Sequence, residues 1–278
     1  GIMTSDWYGL AVSGVATDSI ATSNNASKNA YTSEDGSKGT GWIYTENAAE
    51  SDSYWYYLVS VKSTDGKNTY RNIPFNSQSG DDMMRAKVIK GKTYIFNSNG
   101  EMEDGLVILG NDGNGTTGKT NVYDANGDAT FDNKGGAVSK AMADGVYYFN
   151  EDNGSVNGQM VTGKTTVTKD GEDYYYYFDK TTGRAVTDIV KDGVVYGHDG
   201  ERIDAEDGNT NAIVTLDHDT YYNKKVNGTT CEYIKAGSRV IVSSTGKLRT
   251  SGTVKVDGVK CQVNASADGN WNVAEDVE

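Results

Sequence analysis

Apolar bulk is what this sequence has least of. Only 36% of the 278 residues are hydrophobic, and no apolar run approaches the length of a membrane span, which argues against membrane insertion. A chain so composed is ill equipped for one large dry core, although it can cover many small ones. Its length suits one or two compact domains or one elongated array of small units. Positive charge is short as well. Against 39 Asp and Glu there are 26 Lys and Arg, a formal net charge of −13. Such a surface repels phosphate backbones, so no nucleic-acid partner is expected, and it attracts cations.

Cysteine and histidine are scarce, two of each. Cys231 and Cys261 fit no metal-ligand spacing and read either as a disulfide clamping the C-terminal region or as two free buried thiols. His198 precedes Asp199-Gly200 in a turn, and His218 lies in the charged stretch Asp217-His218-Asp219. Neither sits in a nucleophile or metal constellation, so both read as solvated. The expectation is no catalytic residue, no metal, no cofactor and no enzyme activity. Glu101 and Asp104 have the residue types of a glycosidase dyad, but acids occur throughout the chain and the pair has no specificity. Asp124-Ala125-Asn126-Gly127-Asp128 begins like a calcium loop, yet Ala129 stands where Gly is needed and Gly135 where a bidentate Glu is needed, so it reads as a hairpin turn. No leader is visible, and Gly1 reads as a trimmed end, so compartment is not decided by its absence.

What is present is glycine, 34 residues, and tyrosine, 19 against 5 Phe. Tyrosine joins an apolar ring to a polar tip and suits surfaces half buried and half wet. The two recur together. Val88-Ile89, Lys90-Gly91, Tyr94-Ile95-Phe96, Gly100 and Met102 are echoed by Asp144-Gly145, Tyr147-Tyr148-Phe149, Asn153-Gly154 and Met160. They return as Asp170-Gly171, Tyr174 to Phe178 and Gly183, then as Asp192-Gly193, Val194-Val195-Tyr196 and Gly200. Weaker copies lie at Val122-Tyr123-Asp124, Val240-Ile241-Val242 and Asp257-Gly258-Val259.

Each unit reads as a β-hairpin. The X-Gly pair is a tight turn, since Gly accepts positive φ, and the flanking Val, Ile and aromatic residues are strands. Alternation puts Tyr94 and Phe96 on one face and Ile95 on the other. The second Gly ends the strand and turns the chain to the next unit. A lone hairpin is marginal in water, so the units must stack on their neighbours. The expected fold is therefore all-β, an elongated solenoid of stacked β-hairpin repeats. A β-sandwich shares the alternation, but motif recurrence favours the solenoid over 86–204.

The stretch Lys90 to Asn97 with Gly100, Met102 and Gly105 resembles the cell-wall-binding repeat, the family of choline-binding modules of Gram-positive surface proteins and of the repeats of clostridial toxins and glucan-binding enzymes. The resemblance covers 86–204. It extends to 41–85, where Gly41-Trp42 resembles the family's Gly-Trp opening and Tyr54-Trp55-Tyr56-Tyr57 its aromatic strand. It is weak over 205–278 and absent over 1–40. It implies aromatic cages for a quaternary ammonium, held by cation–π attraction, or sugar binding along a groove. The family's Trp is replaced by Leu106 and Lys164, and Asp188-Ile189 has neither Gly nor Trp; only Trp42 holds its place.

The domains expected are an N-terminal cap or linker over 1–40, a hairpin array over 41–204, and degenerate repeats or a small closing β-unit over 205–278. Candidate binding residues are Trp42, Trp55, Tyr56, Tyr57, Tyr94, Phe96, Tyr147, Tyr148, Phe149, Tyr174, Tyr175, Tyr176 and Tyr177, each open to inter-repeat packing or to ligand contact. The function this implies is attachment to cell-wall polymer or glycan by a secreted or cell-surface protein. The alternatives are a spacer or adhesin stalk that binds nothing, and a fragment of an enzyme with its catalytic domain elsewhere. Oligomeric state is not fixed by the sequence.

Overall fold

A computed structural model describes residues 6–10, 16–17, 29–32, 40–46, 52–62, 70–77, 84–109, 139–140, 142–151, 158–169, 171–206 and 208–277. Among them there is no helix, and hence none long and apolar enough to cross a membrane. The chain forms two compact units, Gly1–Val161 and Thr162–Glu278. The calcium-like loop, the weak copy at Val122-Tyr123-Asp124 and the Asn153-Gly154 turn lie outside the described residues.

The first unit holds β1 (Asp6–Leu10), β2 (Ala16–Thr17), β3 (Asn29–Thr32), β4 (Gly41–Glu46), β5 (Ser53–Lys62), β6 (Tyr70–Pro74), β7 (Arg85–Ile89), β8 (Lys92–Phe96), β9 (Met102–Glu103), β10 (Gly105–Leu109), β11 (Ser139–Lys140) and β12 (Gly145–Phe149). They make small sheets in the orders β2-β1-β3, β4-β5-β6, β11-β7-β8-β9 and β10-β12. The expected turn at Lys90-Gly91 is present. Ile89 pairs with Lys92, and the two turn residues have φ of 47° and 79°, the twist-matched geometry of a two-residue hairpin.

Alternation on β8 sets the layering. Tyr94 and Phe96 are buried with Val59, Ile73, Phe75, Ile89 and Met102, against which Trp42, Trp55 and Tyr57 pack. Ile95, on the other face, is buried with Met84, Ala86, Val107, Leu109, Met142, Tyr147 and Phe149. One sheet thus serves a core on each side. Phe96 and Phe149 are wholly buried, and each such ring stabilises the fold by about 2–3 kcal/mol.

One local expectation fails. Asp144-Gly145 is not a hairpin turn. Gly145 opens β12, which pairs antiparallel with β10, Gly105 against Phe149 through Leu109 against Gly145. The reason is burial: Val107, Leu109, Tyr147 and Phe149 point to the core shared with Ile95, and that gain outweighs a local turn.

The second glycine of the repeat behaves as expected. At Gly100 the turn is closed by Gly100 N–H donating to Asn97 O at 2.9 Å and Asn97 N–H donating to Glu101 O at 2.9 Å. Gly100 has φ of 84°, and a Cβ there would lie 2.5 Å from Pro74 Cβ. Only glycine permits both the turn and that approach. The next residue, Glu101, bridges to Tyr56 of β5, so the turn hands the chain back to the preceding hairpin. The pattern recurs in the second unit, where Gly197 N–H donates to Glu201 O at 2.8 Å and Glu201 bridges to Tyr176.

The second unit holds β13 (Gly163–Lys169), β14 (Glu172–Phe178), β15 (Ile189–Lys191), β16 (Val194–Tyr196), β17 (Asn211–Thr215), β18 (Thr220–Val226), β19 (Thr229–Ile234), β20 (Arg239–Ser243), β21 (Leu248–Arg249), β22 (Thr253–Val256), β23 (Val259–Asn264) and β24 (Asn272–Ala274). Its sheets run β13-β14, β16-β15-β18-β19, β17-β20-β21 and β22-β23-β24. Ile189 of β15 meets Tyr221 of β18 in parallel, joining the last clear repeat to the region beyond residue 205. A larger core gathers there around Leu216, Ile234, Val240, Ile241, Val242, Val263 and Trp271. Cys231 and Cys261 are both free and buried in it.

Candidate functional site

Cross-strand register builds an aromatic face on the β4–β5 hairpin. Trp42 stands opposite Tyr57, and Tyr44 opposite Trp55. Residues two apart on a strand share a face, so all four rings lie on one side. At the inner end Trp42 is packed: its ring centroid is 4.8 Å from Tyr94 and 5.2 Å from Tyr57, and it stacks on Phe96 at 5.8 Å. At the outer end Tyr44 is 57% exposed and leans over Trp55 at 5.2 Å, tilted 45°. The ladder of rings runs from dry core to water.

Beyond this outer end lies an open cleft of about 290 Å³, lined by Tyr44, Ser53, Tyr54, Trp55, Asn97, Glu101, Met102, Glu103 and Asp104. One wall is aromatic and the facing wall acidic. The acidic wall is pre-set by Asn97, whose Nδ2 donates to Glu101 Oε2 at 2.7 Å and to Glu103 Oε1 at 3.0 Å. Asn97 Oδ1 accepts from the backbone N–H groups of Asn99 and Glu101, each at 3.0 Å. The Tyr56 hydroxyl, from the opposite face of β5, reaches Glu101 Oε1 at 3.4 Å. Ring faces beside fixed carboxylates suit a group that is both positively charged and partly apolar.

The other sequence-chosen rings are placed differently. Tyr56, Tyr94, Phe96, Tyr147 and Phe149 are buried, with the Tyr147 hydroxyl donating to Ala143 O at 2.7 Å. Tyr148 is half-buried, and its hydroxyl pKa is pushed up by burial and by the nearby Glu151 and Asp104 carboxylates. Tyr174 is half-buried, with its hydroxyl donating to Glu172 Oε2 at 3.1 Å. Tyr176 stacks on Phe178 at 5.6 Å, and Tyr177 meets Tyr196 edge-on at 6.3 Å.

Several rings already hold a cation of the chain itself. Lys87 Nζ lies 5.4 Å from the Tyr57 centroid and 5.1 Å from Phe75, and burial lowers its pKa. Lys191 Nζ lies 5.4 Å from the Tyr177 ring, and the Arg202 guanidinium sits 3.7 Å from the Tyr175 ring. The structure therefore joins Trp42, Trp55 and Tyr57 into one face, with Tyr94 and Phe96 packed against Trp42, and places the remaining candidates elsewhere. Tyr44, Tyr54 and Asn97 were missed as site residues. Tyr44 was detectable from its spacing, two residues beyond Trp42; Glu101 and Asp104 stood out in the sequence as a pair, but their place facing Trp55 did not, because they come from a later hairpin.

No protein-family model matches the sequence, and no curated protein matches it. The solved structures similar to this chain include choline-binding proteins. Choline binding protein F from Streptococcus pneumoniae aligns with a TM-score of 0.21 and 22% identity, over 68% of this chain and 49% of that one. The modular autolysin LytC from Streptococcus pneumoniae aligns with a TM-score of 0.24 and 17% identity, over 81% of this chain and 37% of that one. Choline binding protein F in the presence of a peptidoglycan analogue, a tetrasaccharide-pentapeptide, aligns at 0.25 and 15%, over 87% and 83% of the two chains. The chain thus spans about half the length of the first of these and 37% of the second.

Proposed function

We propose that this is a non-catalytic, secreted or surface-attached bacterial protein whose hairpins stack in the manner of a solenoid and attach to cell-wall polymer or glycan. The observation that carries the reading is the Tyr44–Trp55 cleft with its acidic wall. A ring face desolvates and attracts a cation, and a carboxylate at the same opening adds Coulombic attraction. The bound group is then a cationic substituent of the polymer, with the sugar chain running over exposed Tyr44. The chain has only two histidines, which fits the non-catalytic part.

A second reading has its own support. Lys87, Lys191 and Arg202 fill ring faces that a ligand would need, as in a spacer or adhesin stalk that binds nothing. Pull-down with isolated Gram-positive cell walls separates the two, with free choline as competitor and Trp55→Ala as control. Attachment requires wild-type binding that the variant loses. Absence of binding to walls and to a glycan array overturns attachment in favour of the stalk. Wall binding that choline does not displace assigns the cleft to a sugar or to another cation.

A further inference from the structure

We propose that Asp188, His198 and His218 form a binding site for one transition-metal dication of the zinc class. Each histidine, taken alone in the sequence, read as solvated; the topology brings them together. Strand β15 lies between β16 and β18, antiparallel to the first and parallel to the second. The start of β15, the end of β16 and the start of β18 therefore meet at one edge of the sheet. Asp188 immediately precedes β15, His198 follows β16, and His218 precedes β18.

The backbone of Asp188 is pinned from both sides. Its N–H donates to Gly197 O at 3.0 Å, and its carbonyl accepts from Tyr221 N–H at 2.8 Å. The φ of Asp188 is 46°, a left-handed conformation that aspartate tolerates better than most residues. The carboxylate then faces both rings. Oδ2 lies 2.7 Å from His198 Nδ1, and Oδ1 lies 4.0 Å from His218 Nδ1. The two imidazoles lie face to face, 4.1 Å between centroids and 13° from parallel. One donor atom from each of the three residues falls within 4.8 Å of the others.

Two imidazole nitrogens and a carboxylate oxygen are a donor set for zinc, copper or nickel; calcium and magnesium take all-oxygen sets. In a tetrahedral site with bonds of about 2.0–2.1 Å, donors stand about 3.3 Å apart. Reaching that needs the rings to turn out of their stack. Their side chains are 68% and 51% exposed, so both have room to do so around the better-held Asp188. Three protein donors leave a fourth position for water.

These are the chain's only histidines, which makes the test selective. The full chain, stripped with chelator, is titrated with zinc by calorimetry while the two imidazole resonances are followed by NMR. One equivalent binds, both imidazoles shift together, and the thermal midpoint rises. His198→Ala, His218→Ala and Asp188→Asn each weaken binding by about tenfold or more, whereas the Cys231→Ser/Cys261→Ser double variant binds as wild type. Should a variant fail to fold, the wild-type resonances decide alone. The site is refuted if zinc leaves the imidazole resonances unmoved, if zinc binds unchanged without both histidines, or if calcium shifts the rings as strongly.

Discussion

The Tyr176 hydroxyl donates a hydrogen bond to the Glu201 carboxylate at 2.8 Å, tying a strand of one hairpin to the turn that closes a later one. Tyr56 and Glu101 stand in the same relation in the first unit at 3.4 Å. Both pairs sit at backbone bridges between the same residues, so ring, hydroxyl and carboxylate repeat together.

Removing the Tyr176 hydroxyl leaves a carboxylate oxygen without its donor. Tyr176→Phe is expected to cost about 1–3 kcal/mol, read from urea melts. The same hydroxyl carries a pH signature. Burial first, then the Glu201 hydrogen bond, raises the Tyr176 pKa, and burial raises those of Tyr196 and Tyr222. A raised folded pKa means that the stability is intact below the usual tyrosine value of 10.0. It falls as pH climbs past that value, because the unfolded chain then gives up protons that the folded chain retains. Melts at rising alkaline pH should show this loss, and Tyr176→Phe should show a smaller one.

Glycines in the two kinds of turn should differ in tolerance. Gly100→Ala meets both an unfavourable φ and the Pro74 side chain, whereas a Cβ at Gly91 meets nothing within 4 Å. Gly91→Ala should cost about 1 kcal/mol for backbone conformation alone, and Gly100→Ala clearly more. Equal losses in chemical denaturation would contradict the close approach of the turn to the preceding hairpin.

Binding and stability should separate at Tyr44. Tyr44 is exposed and its packing is limited to one side, against Trp55, so Tyr44→Ala should cost no more than about 1 kcal/mol. Its affinity for wall polymer should fall severalfold, since a cation–π contact is worth about 0.5–2 kcal/mol. Tyr175→Ala, whose ring face is covered by Arg202, should leave binding unaltered.

The cysteines should behave as inert core residues. Burial raises the pKa of both thiols, which lowers the thiolate fraction that reacts. A thiol reagent should modify two groups slowly in the native chain and rapidly in urea. Reductant should leave the thermal midpoint unmoved.

Much of the local structure was legible. The Lys90-Gly91 turn, the opposed facing of Tyr94 and Ile95, and the return turn at Gly100 follow from glycine stereochemistry and strand alternation, which act within a few residues. What escaped depends on contacts distant in sequence. Gly145 enters β12 because Leu109 lies across from it, and nothing near Asp144 signals that partner. The acidic wall of the cleft and the Asp188–His198–His218 grouping are likewise products of register between separate hairpins. The cations over Tyr57, Tyr175 and Tyr177 come from neighbouring strands and turns, partners that no count of rings along the sequence reveals.

Strand β8 has no outer side: Tyr94 and Phe96 look into one core and Ile95 into the next. It is a party wall. A fault in it opens the rooms on either side at once, so neighbouring layers share damage as they share support.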